Sequence, residues 1–165
     1  MTTPRFDPLQ ALRALSDGAV EFVVIGGFAA RLHGSPTLTV DLDVCYRRDR
    51  ENLERLAAVL KAIDARLRGV DDDVPFLLDA ATLDSGDSFT FTTRYGSLDI
   101  LGTPSGTAGF STLAAGAVEY DAGGLVVRIA SLDDLIAMKQ AAGRPKDLIE
   151  VEVLGALREE IDEAE

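Results

Sequence analysis

The stretch VVIGGFAARLHGSPTLTVDLDVCYRR, residues Val23–Arg48, places two glycines and two aspartates close together among apolar residues. It begins as a short buried strand that runs into a turn at Gly26–Gly27. About two helical turns follow, and Gly34 is placed to end them. A second strand then contains Asp41 and Asp43, whose charges are costly in an apolar surround unless a positive partner lies beside them. The sequence therefore predicts a strand, a glycine turn, a helix and a strand, with a cation at the acidic pair.

The second strand is expected to cover LTVDLDVCYR, where apolar and polar residues alternate. One face would then be formed by four apolar side chains, those of Leu38, Val40, Leu42 and Val44. Asp41 and Asp43 share the opposite face, with their Cα atoms roughly 6–7 Å apart. The alternative is that both are surface acids on an exposed strand. The apolar flanks and the nearby glycines favour a shared ligand.

Helical patterns occur on both sides of this stretch. Three leucines recur at helical spacing before Gly18 and predict a first helix. A longer helix is expected to begin at Asp49 or Arg50 and to end at Gly69. Its predicted apolar stripe consists of Leu53, Leu56, Leu60, Ile63 and Leu67. Ser131 and Asp134 form a capping-box pattern for a further helix that ends near Gly143, and a last helix begins at Pro145.

Two hairpins complete the pattern. SFTFTTRYGSLDILG predicts two strands around Tyr95–Gly96, with Asp99 in the second strand between two apolar residues. AVEYDAGGLVVRIA predicts a second hairpin that turns at Ala122–Gly124. We therefore expect one α/β domain over residues 1–165, with a mixed sheet flanked by helices.

Composition limits the possible functions. The 165 residues fit one domain, and 47% apolar residues exclude a disordered chain. Sixteen basic and 28 acidic residues give 16 − 28 = −12, which repels nucleic-acid backbones in general. A local site where a metal ion bridges carboxylates to a phosphate is compatible with that charge. A single cysteine excludes a disulfide framework, and no apolar run reaches membrane-spanning length, so a cytoplasmic protein without a membrane partner is expected.

The acidic residues themselves favour metal chemistry. Asp41, Asp43 and Asp99 on neighbouring strands would repel one another without a counter-charge. Oxygen ligands suit Mg²⁺ or Mn²⁺, and Mg²⁺ takes substrate phosphates as further ligands. The Gly26–Gly27 turn lies at a strand-to-helix junction, where bare backbone N–H groups and the positive helix end attract phosphate. These features together predict a magnesium site that binds a nucleoside triphosphate.

The segments GGFAARLHGSPTLTVDLDV, YGSLDIL and SLDDLIAMKQAAGRPKDLIEVEVL resemble the nucleotidyltransferase superfamily of the DNA polymerase β type. More narrowly, they resemble minimal bacterial nucleotidyltransferases related to abortive-infection toxins of type IV-like toxin–antitoxin pairs. The resemblance covers roughly Glu21 to Leu154, which would be the catalytic core. It implies the nucleotidyltransferase fold and transfer of a nucleoside monophosphate from NTP to an acceptor hydroxyl, with release of pyrophosphate.

The resemblance also implies a role for each matching residue. Asp41 and Asp43 would bind the metal ions, and Asp99 would complete that site and help to deprotonate the acceptor. The predicted nucleotide-binding residues are Gly26, Gly27, Ser35, Lys139 and Asp147. Of these, Lys139 would reach the phosphates and Asp147 would order the site. One position departs from the pattern, because Thr37 follows Pro36 where relatives often have an arginine.

The acceptor is the least defined part of the prediction. The resemblance implies a tRNA 3′ end and a cognate antitoxin that restrains the enzyme. The net charge of −12 fits tRNA only if Arg47, Arg48, Arg50, Arg144 and Lys146 cluster near the site. A protein hydroxyl and a small molecule such as an aminoglycoside are therefore kept as alternatives. A catalytically silent protein that binds nucleotide as a regulatory module is the alternative from another class.

Overall fold

The computed structural model describes residues 4–71, 73 and 75–164. The described strands are β1 (Phe22–Ile25), β2 (Asp41–Tyr46), β3 (Arg66–Leu67), β4 (Ser88–Thr93), β5 (Gly96–Leu101), β6 (Val118–Ala122) and β7 (Leu125–Ile129). The described helices are α1 (Pro8–Asp17), α2 (Gly26–His33), α3 (Arg50–Ala62), α4 (Ala80–Ser85), α5 (Phe110–Gly116), α6 (Leu132–Ala142) and α7 (Pro145–Ala164).

The strands form one mixed sheet in the order β3-β4-β5-β2-β1-β7-β6. Strand β1 is antiparallel to β2 and parallel to β7. Strand β2 is parallel to β5, and in this register Asp43 pairs with Asp99. All four residues of β1 are buried, because the strand is central and has both faces covered. The predicted fold class, a mixed sheet flanked by helices in one domain, is confirmed.

Several local predictions are also confirmed. The first hairpin pairs β4 with β5 around Tyr95–Gly96, and the second pairs β6 with β7. The Ser131 hydroxyl accepts a hydrogen bond from the Asp134 N–H and caps α6. Gly143 ends that helix in the left-handed conformation, at φ 65°. In the part of the chain that the structure describes, no helix is long and apolar enough to cross a membrane.

The prediction for the start of the acidic strand was wrong. Strand β2 begins at Asp41, so the expected apolar face is limited to its later residues. Leu38 and Val40 lie before the strand, with 83% and 71% of their surface exposed. The reason is a pair of hydrogen bonds that holds the preceding residues away from the sheet. The hydroxyls of Ser35 and Thr37 both donate to the carboxylate of Glu150 on α7.

The predicted end of the long helix was also wrong. Helix α3 ends at Ala62, and Leu67 belongs to β3 instead of the helical stripe. Asp64 takes a positive φ of 58°, which a short polar side chain tolerates better than most, and the chain reverses there. The reversal allows β3 to pair with the edge of β4 and brings the following residue, Arg68, to the face of the sheet that bears the acids.

Candidate functional site

A cavity of about 660 Å³ opens at the end of the sheet where the acidic residues lie. Its walls come from the turn between β1 and α2, the loop before β2, strands β2, β4 and β5, and helices α6 and α7. Most of the residues predicted to be functional line this cavity: Gly26, Gly27, Asp41, Asp43, Asp99, Lys139 and Asp147. Residues that are far apart in the sequence therefore meet in one place.

Asp43 and Asp99 form the centre of the acidic cluster. They occupy paired positions on β2 and β5, which are parallel neighbours, so their side chains lie on the same face. Burial, the charge of Asp99, a hydrogen bond with Asp99 and the charge of Asp41 together raise the pKa of Asp43 to about 7. The carboxyl group of Asp43 therefore tends to keep its proton near neutral pH, as expected for a buried acid close to other carboxylates.

Arg68 provides the positive charge beside these acids. Its guanidinium Nη2 lies 2.6 Å from Asp99 Oδ1, and its Nη1 lies 3.9 Å from Asp41 Oδ1. The backbone N–H of Arg68 donates to the carbonyl of Thr90, and Thr90 pairs with Asp99 across the next two strands. Arg68, Thr90, Asp99 and Asp43 therefore form one row across the sheet, and the row explains why these side chains meet.

Gly26 is required by the approach of Asp43. A Cβ atom at Gly26 would overlap the Asp43 carboxylate, and the residue has a positive φ of 70°. At Gly27 an added Cβ would lie 3.1 Å from the Thr39 side chain. Helix α2 begins at this turn without a hydrogen bond from a capping side chain. Its first N–H groups therefore lie beside the cavity, where an anion is favoured by the helix dipole.

Lys139 and Asp147 form the opposite wall. Lys139 Nζ lies 3.5 Å from Asp147 Oδ1, and the Arg144 Nε lies 2.6 Å from the other carboxylate oxygen. The hydrogen bond from the Arg144 side chain is the main reason that the pKa of Asp147 is lowered to about 2. The Asp147 side chain is 1% exposed, whereas Lys139 keeps 27% of its side chain accessible. This geometry makes Asp147 an internal anchor and directs Lys139 to the cavity.

Ser35 is placed differently from the other predicted residues. It is buried and is not among the described residues that line the cavity. Its hydroxyl donates to Glu150 Oε1 over 3.0 Å, and that of Thr37 donates to Glu150 Oε2 over 2.8 Å. Thr37 is thus tied to a buried acid on the last helix. The nucleotide-binding role of Ser35 stays a prediction.

Sequence reasoning missed Arg68 and Glu150. Glu150 is on the buried side of α7, and its two hydroxyl partners lie 115 and 113 residues away in the chain. A buried acid in an amphipathic helix was a weak signal, because the neighbouring positions are also acidic or apolar. Arg68 had no local signal, since it is an ordinary arginine next to a short edge strand.

The donor set suits a hard divalent cation in its chemistry. All three carboxylates offer oxygen, which Mg²⁺ and Mn²⁺ prefer, and the Asp43–Asp99 pair is a charge cluster that a cation would relieve. Within residues 4–71, 73 and 75–164, however, no three acidic, histidine or cysteine side chains are already arranged around a single metal position. The guanidinium of Arg68 contacts Asp99 and lies 3.9 Å from Asp41 in this arrangement.

No protein-family model matches the sequence, and no curated protein matches it. Solved structures do match the fold. The lincosamide antibiotic adenylyltransferase LnuA, solved with lincomycin bound, gives a TM-score of 0.61 at 13% identity and covers 91% of this chain and 95% of its own. The structure of ANT(2″)-Ia in complex with adenylyl-2″-tobramycin gives a TM-score of 0.53 at 17% identity. The match covers 93% of this chain and 96% of that protein.

A third match is an antigenic nucleotidyltransferase-like protein from Paracoccidioides brasiliensis, with a TM-score of 0.52 at 15% identity. The match covers 89% of this chain and 73% of that protein. At such identities the likeness shows the fold alone. The chain has a fold shared with nucleotidyltransferases, as the sequence predicted.

Proposed function

We propose that this protein is a metal-dependent nucleotidyltransferase that moves a nucleoside monophosphate from NTP to a hydroxyl of a small acceptor molecule. The observation that supports it best is the pairing of Asp43 with Asp99 directly beside the Gly26–Gly27 turn. The pair supplies anionic ligands and the turn supplies N–H donors, so a metal and a triphosphate would be bound next to each other. The shared fold agrees with this proposal.

The residues that line the cavity would have separate roles in binding and in the reaction. The N–H groups at the start of α2 and the ammonium of Lys139 bind the triphosphate from two sides of the cavity. Asp41, Asp43 and Asp99 would hold Mg²⁺ or Mn²⁺, which when bound polarises the phosphate and stabilises the charge on the leaving oxygen. The acceptor oxygen bonds to the α-phosphorus while the α–β bridging P–O bond breaks. Pyrophosphate leaves, and Asp99 helps to take the proton from the acceptor hydroxyl.

Charge favours a small acceptor over tRNA. Of the basic residues that had to cluster for tRNA binding, four are paired with acids. Arg47 pairs with Glu21 and Asp49, and Arg48 pairs with Asp84 and Asp87. Arg50 is paired with Glu54, and Arg144 with Asp147. Arg144 and Lys146 line the cavity, but a net charge of −12 is unfavourable for a polyanion.

The named structural neighbours support the same choice. Lincomycin is bound to LnuA and an adenylylated tobramycin to ANT(2″)-Ia, and both are small molecules. The tRNA 3′ end and the antitoxin partner rest on the sequence resemblance to abortive-infection toxins. They are kept as the alternative outcome, together with a protein acceptor and a silent nucleotide-binding module.

The proposal is tested by offering the protein an NTP labelled at the α-phosphate with Mg²⁺ and three acceptor pools. The pools are hydroxyl-bearing small molecules (aminoglycosides and lincosamides included), total RNA and total protein. We expect label in the small-molecule pool only, and none when EDTA replaces the metal. Label in RNA would support the tRNA acceptor instead. Binding of NTP and metal without transfer to any pool would favour the regulatory module.

A further inference from the structure

Arg68 occupies the position of a counter-ion among the proposed metal ligands. Its guanidinium is a charge-assisted hydrogen-bond partner of Asp99, at 2.6 Å, and is also within 3.9 Å of Asp41. The side chain of Arg68 is 34% exposed, so most of it is covered by the protein. A second donor of the same group bonds the carbonyl of Phe91 over 3.2 Å. Two hydrogen bonds, to Asp99 and to the Phe91 carbonyl, therefore fix the guanidinium, and Asp41 lies within ion-pair distance of it.

We propose that Arg68 is a built-in counter-ion that competes with the divalent metal for Asp99 and Asp41. In the metal-free protein it neutralises the acidic cluster and keeps the site assembled. Metal binding then requires the guanidinium to leave the carboxylates. This inference rests on the proposed metal-dependent function and adds to it a control on metal affinity by a residue that is not a ligand.

The competition follows from the number of charges that the cluster can hold. Three carboxylates carry at most three negative charges, and the Arg68 guanidinium already lies 2.6 Å from Asp99 and 3.9 Å from Asp41. The guanidinium and a divalent cation would be drawn to the same Asp99 oxygens, and two cations at that distance repel each other. Displacing the guanidinium breaks a charge-assisted hydrogen bond, so the measured metal affinity is lower than that of the bare ligands.

The backbone around Arg68 does not depend on this contact. Its own N–H is bonded to Thr90, and the preceding residues pair with β4 through Arg66–Thr92 and Leu67–Phe91. The edge strand is thus fixed by main-chain hydrogen bonds, and the side chain can move without unfolding it. A purely structural arginine would contribute to stability only, and its removal would not make the metal bind more tightly.

The test is a calorimetric titration of Mn²⁺ into the full chain, freed of metal with EDTA and without nucleotide. We expect Arg68→Gln to bind Mn²⁺ at least about tenfold more tightly than the wild type, the loss of one charge-assisted contact being worth about that factor. The same variant should be less stable without metal, because three carboxylates lose their counter-charge. Arg94→Gln is the matched control, since it breaks a 2.8 Å pair with Asp64 at the exposed surface, and it should bind like the wild type.

The possible outcomes separate this inference from the proposed function. If the wild type binds Mn²⁺ and the Arg68→Gln variant binds it equally or less tightly, the proposed competition is wrong but the metal site stands. Absence of binding in both proteins overturns the metal site as well. If Arg68→Gln does not fold, Arg68→Lys is used, because an ammonium keeps the charge without the two-pronged reach of a guanidinium. Its affinity is expected to exceed that of the wild type, and an unchanged affinity would contradict the competition.

Discussion

Asp43→Asn is expected to reduce nucleotide transfer by at least about a hundredfold, or roughly 2.7 kcal/mol in the barrier. The change keeps the shape of the side chain and removes its charge from the proposed metal site. Asp43 pairs with Asp99 in register and lies against the Gly26 turn, so its charge is placed where the metal and the triphosphate would meet. The measurement is label transfer under saturating Mg²⁺ and NTP, compared with the wild type.

The same variant should be equally stable or more stable in the absence of metal. The pKa of Asp43 is raised from 3.8 to about 7, mainly by burial and by Asp99. A raised pKa means that the folded protein keeps a proton that the unfolded chain has lost. The stability linked to that proton is complete below about pH 4 and is lost as the pH rises through about 7. Asparagine does not ionise, so the stability of the variant does not fall in this way as the pH rises.

We therefore expect the two proteins to be similar at or below about pH 4, and the variant to be the more stable at about pH 8, in urea unfolding with EDTA. Asp162→Asn, at the exposed end of α7, is the control and should change neither transfer nor stability. Transfer at the wild-type rate by Asp43→Asn would show that Asp43 is no ligand, and the catalytic interpretation of the acidic strand would fail.

Lys139→Ala should weaken NTP binding by about 1.5–3 kcal/mol, or about 10- to 150-fold in the dissociation constant. The lysine lines the cavity opposite the glycine turn, where it can reach phosphate oxygens. The fold should be retained, because Asp147 keeps its 2.6 Å contact with Arg144 when the lysine is removed. The readout is a calorimetric titration with NTP and Mg²⁺.

Lys61→Ala is the control for Lys139, since it removes an exposed lysine from the last turn of α3. It should leave the dissociation constant unchanged. If Lys139→Ala also leaves it unchanged while the protein is folded, the lysine acts only through its contact with Asp147. The proposed triphosphate-binding site would then consist of the glycine turn and the acidic cluster alone.

Much of the fold could be predicted because its signals are local. The period-two alternation of β2 put Asp41 and Asp43 on one face, and the turn residues Tyr95–Gly96 gave the hairpin that contains Asp99. Parallel pairing of β2 with β5 then brought the acids together, which the sequence could state only as an expectation. The helix starting at Ser131 was recognisable from its cap.

The remaining features depend on contacts between distant parts of the chain. Leu38 and Val40 continued the alternation of the strand, but the bonds from Ser35 and Thr37 to Glu150 hold the loop outside the sheet. Arg68 reaches Asp99 only because β3 pairs with β4 and β4 pairs with β5, the strand that contains Asp99. No pattern of nearby residues encodes such contacts, so the counter-ion that the sequence called for was expected to be a metal and not an arginine.

The proposed reaction cleaves NTP between the α- and β-phosphates. The most direct measurement uses two preparations of NTP, labelled at the α- or the γ-phosphate, with Mg²⁺ and the acceptor found in the pool experiment. We expect the α label to move to the acceptor and the γ label to be released as pyrophosphate, in equal amounts. Appearance of the γ label on the acceptor, or as free phosphate while the α label stays in nucleotide, would contradict it.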